Sequence, residues 1–407
     1  MNCRHCHAPL ARVFLDLGHA PPSNAYLTEG GLRAPETTFP LRLFVCDACH
    51  LVQTEDHAAA DALFSPDYAY FSSTSQGWLA HAARYAAMIT ARLGLGAQSH
   101  VIELASNDGY LLRNFVAAGI PCLGVEPTDS TAAAAEAMGV PTLRRFFGAD
   151  LGAELAGAGK SADLVIGNNV FAHVPEINDF TAGIAAVLKP EGVVTLEFPH
   201  LMRLIEECQF DTVYHEHFSY LSLATTQRIF AAAGLRIFDV EELPTHGGSL
   251  RIYGCKIGAA HAESPAVARV LAAEIAAGLQ GAAVYAGFQA RANQVKNGLL
   301  RFLIDCARDG KTVAGYGAAA KGNTILNFAG VRPDLLPFVC DAAPSKQGRF
   351  LPGSHIPILA PAALRENRPD YVLILPWNIA AEVQAQLADL AALGTRFVTA
   401  VPELRIR

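Results

Sequence analysis

Between residues 76 and 260 the hydrophobic positions repeatedly change period. Helical spacing over 78–93 gives way to a short apolar run at 100–104, and similar runs return at 122–126, 162–167 and 192–197. Stretches of helical length separate them, among them 177–188, which stops at Lys189-Pro190-Glu191-Gly192. Short buried runs alternating with helices predict a largely parallel sheet covered on both faces. Runs at 236–241 and 250–257 are expected to complete it at an edge. Residues 263–309 are alanine-rich with no proline after Pro265, which predicts a long helix or a helical hairpin. A second alternation follows, with strands expected at 312–315, 337–340, 371–375 and 397–400 and a helix from about Ala319. The expected fold class is α/β in three units: a small module over 1–75, a Rossmann-like domain over 76–262, and a helical linker with a second Rossmann-like α/β domain over 263–407.

Composition narrows the class of protein. With 51% apolar and 17% charged residues, the 407-residue chain is expected to be compact and globular. The net charge of −7 is spread out and no Lys/Arg cluster stands out, which argues against nucleic acid as a partner. No apolar run reaches the ~18 residues of a membrane span, and Met-Asn-Cys-Arg-His-Cys is no signal peptide. A cytoplasmic protein that does not engage a membrane is expected, and a monomer. Of nine cysteines, five are scattered through apolar surroundings and read as small core residues. The other four, Cys3 with Cys6 and Cys46 with Cys49, form two C-x-x-C pairs that read as knuckles of one structural zinc site, one ion per chain. His5, His7 and His50 lie beside them and are alternative ligands. Four thiolates would leave no open coordination position, so this metal would not be catalytic.

Candidate chemistry starts at the first strand of the central alternation. Val101-Ile102-Glu103-Leu104 ends in an acid, passes through Ala105-Ser106-Asn107-Asp108-Gly109, and opens into a helix. A pyrophosphate would need bare backbone N–H groups there, and Glu103 and Asp108 would repel it. Two carboxylates suit an amino group and a sulfonium, the charges of S-adenosylmethionine (SAM). One strand on, Glu126, followed by Pro127, is placed to accept hydrogen bonds from ribose hydroxyls, and Asn168 and Asn169 end the third strand at the edge where ligands bind. The plain alternative is a βαβ unit with N-capping acids and no ligand.

Further along, Tyr214-His215-Glu216-His217-Phe218-Ser219-Tyr220 concentrates ionisable groups in a chain with few of them. In a partly buried cleft with Glu216 or a tyrosine nearby, His217 would serve as a general base near neutral pH. A metal bound by the H-x-H pair lacks an evident third ligand, and buried histidines that only satisfy hydrogen bonds are the bland reading. Tyr68 and Tyr70 precede the first helix as a candidate lid, and His173 follows the third strand. His246, Gly247, Gly248 and Arg251 offer a glycine-rich approach to a ligand. The turn Gly315-Tyr316-Gly317-Ala318-Ala319-Ala320-Lys321-Gly322-Asn323-Thr324 is like a dinucleotide loop, with Lys321 and Asn323 placed toward a phosphate at a helix N-terminus, or else a plain strand–helix turn.

Taken together, Glu-Leu-Ala-Ser-Asn-Asp-Gly-Tyr-Leu-Leu, Tyr-His-Glu-His-Phe-Ser-Tyr-Leu, His-Gly-Gly-Ser-Leu-Arg and Gly-Ala-Ala-Ala-Lys-Gly-Asn-Thr, behind the paired C-x-x-C module, resemble the SAM-dependent nucleotide-sugar C-methyltransferase family over nearly the whole chain. The resemblance implies a dTDP-linked 4-keto-deoxysugar as the small-molecule substrate, methylated at C-3 beside the ketone. It implies His217 as the base with Tyr214 and Glu216 beside it, His173 and one of Tyr68 and Tyr70 at the sugar, and a C-terminal domain closing over the nucleotide diphosphate. The generic Gly-x-Gly-x-Gly loop is replaced here by the family's own Ala105-to-Gly109 form. Competing expectations are an O- or N-methyltransferase of a nucleotide sugar, and a non-catalytic zinc protein that holds SAM or a nucleotide.

Overall fold

The computed structural model describes residues 1–55 and 71–407. Near the N-terminus lie β1 (Arg12–Ala20), β2 (Phe39–Val45) and β3 (Val52–Thr54), followed beyond residue 71 by helix α1 (Gln76–Leu93). The central strands are β4 (Val101–Leu104), β5 (Cys122–Val125), β6 (Thr142–Leu143), β7 (Ala162–Asn168) and β8 (Leu188–Pro199). A two-residue strand, β9 (Ser219–Tyr220), precedes the hairpin β10 (Leu235–Leu243) and β11 (Ser249–Lys256). The central sheet has the order β10-β11-β8-β7-β4-β5-β6. From β8 to β6 it is parallel, and β11 and β10 extend it antiparallel at the β8 edge. All four residues of β4 are buried, as a strand covered on both faces requires.

The alanine-rich segment is broken. It forms α2 (Pro265–Ala276), whose N-cap Ser264 accepts from the Ala266 N–H, and α3 (Phe288–Arg308). Gly278, at φ +82°, turns the chain between them, and the Tyr285 hydroxyl donates to the Leu279 carbonyl at 2.6 Å. Along α3 the buried Phe288, Ala292, Val295, Leu299, Leu303 and Cys306 follow three- and four-residue steps, so one stripe faces the core. The C-terminal sheet holds β12 (Val313–Tyr316), β13 (Val339–Cys340), β14 (Ile358–Leu359), β15 (Tyr371–Ile374), β16 (Arg396–Thr399) and β17 (Arg405–Ile406), in the order β14-β13-β12-β15-β16-β17. Helix α4 (Ala320–Ala329) follows β12. The order reverses between β12 and β15, the place where open α/β sheets bind ligands.

The N-terminal sheet has no separate core. Phe14 of β1 stacks on Phe288 at 4.7 Å between ring centroids and meets Tyr285 edge-on at 5.5 Å. Leu15, Leu41 and Leu43 share one buried cluster with Leu201 and Phe210 of the central unit and Leu326, Leu336 and Val398 of the C-terminal one. A unit this small buries too little surface alone, so it is completed by its neighbours. Its fourth strand also comes from elsewhere: β9 pairs antiparallel with β3, Val52 opposite Tyr220 and Gln53 opposite Ser219. The Thr54 N–H donates to the Phe218 carbonyl at 3.2 Å and its hydroxyl to the His217 carbonyl at 3.3 Å.

The four cysteines bracket this arrangement. Their sulfurs all lie within 4.8 Å of one another, with Cys3–Cys49 and Cys6–Cys46 at 3.5 Å. A tetrahedral zinc with bonds of about 2.3 Å sets its sulfurs roughly 3.8 Å apart, so the cluster fits that ion. Among the described residues no other group of His, Cys, Asp or Glu converges this way. His5 instead bonds Asn178 at 2.8 Å. Protein purified without chelator should contain one zinc per chain by elemental analysis. Cys46→Ser should lose it and lower the melting temperature by on the order of 5–10 °C. Retention of a full zinc equivalent in that variant would show that Cys46 is not a ligand.

Candidate active site

Leaving β4, the chain turns so tightly that Ala105 and Asn107 adopt left-handed φ of 51° and 50° before Gly109 at 75°. Alanine gains nothing from that conformation, and backbone strain of this kind concentrates at ligand sites. A Cβ at Gly109 would lie 3.0 Å from Val140 and 3.1 Å from Ala135, so glycine is also needed for packing. Glu126 at the end of β5 fixes the turn: it accepts from the Asn107 N–H at 2.8 Å and from the N–H and hydroxyl of Thr128 at 3.0 and 2.5 Å. From above, the Ser72 and Ser73 N–H groups donate to Asn107 and Asp108 at 2.9 and 3.0 Å.

Three carboxylates meet in this loop with no Lys or Arg bonded to any of them among the described residues. Glu103 is 1% exposed, and burial, followed by the charges of Glu126 and Asp108, raises its pKa well above the carboxylate range. One oxygen each of Glu103 and Asp108, the Ser106 hydroxyl and both ends of the Asn168 amide are buried with no hydrogen-bond partner among the described residues. Such groups are costly unless something binds them. A ligand with a cationic centre and several hydroxyl and amino donors matches them, and SAM has that chemistry. Pro127 continues the loop behind Glu126, and Asn169, with φ 53°, reaches the next cluster through a 3.1 Å contact to the His246 ring.

That cluster gathers histidines. The His217 ring lies 4.0 Å from the Tyr214 ring and 4.5 Å from that of His173, between centroids. Its Nδ1 is 3.0 Å from the Thr212 carbonyl. A carbonyl can only accept, so Nδ1 carries the proton and Nε2 the lone pair. Burial first, and the neighbouring His173 ring next, hold His217 well below the usual histidine range. Burial likewise brings His173 and His246 down to about 4. All three rings are therefore neutral at pH 7. Glu216 is buried and accepts from the Asn24 amide at 2.8 and 3.0 Å. His215 turns away to the Pro40 carbonyl, so the H-x-H pair does not converge on a metal.

The C-terminal unit supplies the facing wall. Lys321, in the first turn of α4, donates to Asn378 at 2.7 Å and stands 4.8 Å over the Trp377 ring, at the switch point between β12 and β15. After burial, its charge also contributes to the lowered pKa of His246 and, less, to that of His217. Asn323 is turned inward, its amide donating to the Ser23 carbonyl. Gly247 and Gly248 have φ of 88° and 116° and let the loop press against Trp377 and Arg203, where Cβ atoms would clash. Arg251 is not free to meet a substrate: its guanidinium pairs with Glu197 at 2.9 Å and Glu241 at 3.0 Å and covers the Tyr85 ring. Tyr68 and Tyr70 lie outside the described residues.

Four neighbours of these groups carry no motif. Asn24 reaches Glu216, Asp211 accepts from the Trp377 indole at 2.7 Å, and Trp78 stacks on His81 and meets Tyr110 and His246. The one signal in the sequence was rarity, since Trp78 and Trp377 are the chain's two tryptophans.

A Rossmann-like sheet with a carboxylate-lined first loop, carried beside a four-cysteine module, defines a SAM-dependent methyltransferase. Three family models match in chain order: a zinc binding domain over residues 3–64, a methyltransferase domain over 78–240 and a C-methyltransferase C-terminal domain over 244–402. The chain is 35% identical over 405 residues to the C-methyltransferase NovU of Streptomyces niveus, covering 100% of this chain and 96% of that protein. It belongs to the SAM-dependent C-methyltransferase family. A shorter match, 32% over 98 residues, joins it to an uncharacterized methyltransferase of Mycobacterium leprae, over 24% of this chain and 36% of that one. Among solved structures, the SAM-bound magnesium protoporphyrin IX methyltransferase of Synechocystis PCC 6803 aligns at 16% identity and TM-score 0.34, over 44% of this chain and 80% of that one.

Removing the Glu126 carboxylate takes away the anchor of the loop. Glu126→Ala should weaken SAM binding by about 1.5–3 kcal/mol, roughly 10- to 150-fold by calorimetry. Unchanged affinity would remove Glu126 from the SAM site.

Proposed function

We propose that the enzyme transfers a methyl group to the carbon beside the ketone of a nucleotide-linked 4-keto-deoxysugar, C-3 of a dTDP-sugar, with His217 as the base. The observation that carries this reading is the state of His217: neutral, buried, its Nδ1 proton committed to the Thr212 carbonyl and its Nε2 lone pair available. A carbon nucleophile needs a base of this kind, whereas binding alone does not.

In this reading Nε2 takes the proton from the carbon beside the ketone, and the C–H electron pair moves toward the ketone oxygen. Tyr214, His173 or the Lys321 charge is suited to meet the negative charge that develops there, because preorganised donors act strongly in a dry site. SAM, when bound, supplies a methyl on a sulfonium, and its transfer leaves a neutral thioether. Glu103, Ala105, Ser106, Asn107, Asp108, Glu126, Pro127, Asn168 and Asn169 would hold that cofactor. His246 with Gly247 and Gly248, joined to Asn169, would form the boundary between cofactor and sugar. Arg251 would act from behind, fixing Glu197 and through it Thr245 at the start of that loop. Lys321 would meet the diphosphate, and Asn323 would keep its helix in place. Trp78, between Tyr110 of the SAM loop and His246, and a tyrosine of the Tyr68/Tyr70 pair would exclude water able to reprotonate the enolate.

Lys321→Ala should raise the KM for the sugar nucleotide about tenfold or more, as loss of a charged hydrogen bond does, with SAM affinity unchanged. Equal effects on both ligands would exclude a diphosphate role. His217→Asn should bind both ligands yet lose ~10²–10⁴ in turnover, and should also lose exchange of the sugar's C-3 proton in D2O measured with S-adenosylhomocysteine present. Because its pKa is depressed, the wild-type base is unprotonated at pH 6.5 and above. Exchange should therefore be level from pH 7.5 to 6.5 and fall only in more acid solution. Near wild-type turnover in His217→Asn would sink the mechanism, and an O-methylated product would sink the carbon-transfer reading.

A further inference from the structure

Residues 209–213 are gripped from several sides, and each grip leads to a different part of the site. The Gln209 amide donates to the Gly247 carbonyl at 2.7 Å, holding the His246 loop. Thr324 of α4 donates its hydroxyl to the Val213 carbonyl at 2.8 Å. The Trp377 indole N–H donates to Asp211 at 2.7 Å. Between these last two lies Thr212, whose carbonyl accepts from Nδ1 of His217. Asp211 is 0% exposed, and its second oxygen has no partner among the described residues. A buried carboxyl group with one oxygen left unpartnered is expensive, and it persists where surrounding structure fixes it.

We propose that Asp211 and Trp377 are positioning residues for His217: their hydrogen bond, made across the junction with the C-terminal domain, holds the Thr212 carbonyl where it keeps the imidazole proton on Nδ1. Without that acceptor the proton is free to reside on Nε2, the atom that must take up the substrate proton. The wrong tautomer of a catalytic histidine leaves the residue in place and disables it. The C-terminal domain thereby sets the chemical state of a base that belongs to the central domain. This rests on His217 being the base, but its first readout needs no substrate.

The test uses full-length protein labelled with ¹⁵N-histidine, the His217 signals being assigned by their loss in His217→Asn. Long-range ¹H–¹⁵N spectra should show wild-type His217 protonated at Nδ1. Trp377→Phe keeps a ring but removes the donor, and Asp211→Leu removes the acceptor while leaving Trp377. Each should move His217 toward the Nε2-protonated form and lower kcat and C-3 proton exchange roughly 10- to 100-fold, with KM and SAM affinity within about threefold. Both residues act through one bond, so the double variant should be no worse than the poorer single variant, within about twofold. An unchanged His217 tautomer in Trp377→Phe, or losses that multiply in the double variant, would overturn the proposal. If Asp211→Leu does not fold, the tautomer in Trp377→Phe decides alone. A tautomer that shifts while no keto-sugar is methylated would fault the substrate reading and leave this one standing.

Discussion

The pairing of β9 with β3 is two residues long, and the placement of the histidine segment depends on it. So short a strand has no stability of its own. It holds because Phe218 and Tyr220 are buried on the spot and because Thr54 donates twice, to the carbonyls of His217 and Phe218. In turn β3 follows the Cys46–Cys49 knuckle by a few residues, and the Cys46 N–H is bonded across that turn to the Leu51 carbonyl. A closed four-sulfur zinc site, with no position for substrate, would thus bear on the proposed chemistry by fixing the register of the strand beside His217. The same constraint explains why the N-terminal sheet shares its core with α3 and the C-terminal sheet. A module that must present one edge to the central domain gains rigidity by burying its face against the other.

Electrostatics divides the cleft in two. On one side Glu103, Asp108 and Glu126 crowd together with no Lys or Arg bonded to them among the described residues, so much so that burial and its neighbours push Glu103 toward the protonated form. On the other side three neutral histidines gather, two of which, His217 and His246, feel the charge of Lys321, whose own pKa burial lowers. Each half is unfavourable alone and would be relieved by a ligand of opposite sign, a cation in the first and, on the proposed reading, an anion in the second. A site of this kind stores some of the cost of its charges until both ligands are present. Two ligands of opposite charge, brought into one cleft, are what a sulfonium cofactor and a diphosphate-linked sugar would be.

Much of the fold was legible because periodicity and burial agree along the central strands. β4, β5, β7 and β8 fall on the apolar runs, and the hairpin β10–β11 lies at the edge where it was expected. The alanine-rich stretch was ambiguous for a physical reason: alanine favours helix everywhere, so only Gly278 and its neighbours determine where the hairpin breaks. β9 was not legible at all. Two residues carry no period, and their partner strand lies far away in sequence, so only tertiary contact creates it. The four zinc-site cysteines and the loop acids announced themselves by spacing and strand position. Asn24, Asp211 and Trp377 did not, since each acts on a group that its own neighbourhood in sequence does not contain. Arg251 shows the converse, for a motif placed it near the ligand and the structure commits its charge to Glu197 and Glu241.

The depressed pKa of the His217 ring has a consequence for where the proposed chemistry must be assisted. Keeping the imidazole neutral makes its lone pair available, but the same burial makes it a weaker base. A weak base can remove a proton from carbon only if the electron pair it leaves behind is well received. The demand therefore falls on the ketone oxygen, and the groups able to meet it come from different units: Tyr214 and His173 from the central domain, Lys321 from the C-terminal one. Such a division ties the barrier to the closeness of the domains. The junction that brings Lys321 to the histidines is also the junction that carries Trp377 to Asp211 and Thr324 to Val213. One interface would then set both terms of the reaction, the state of the base and the stabilisation of the charge it creates.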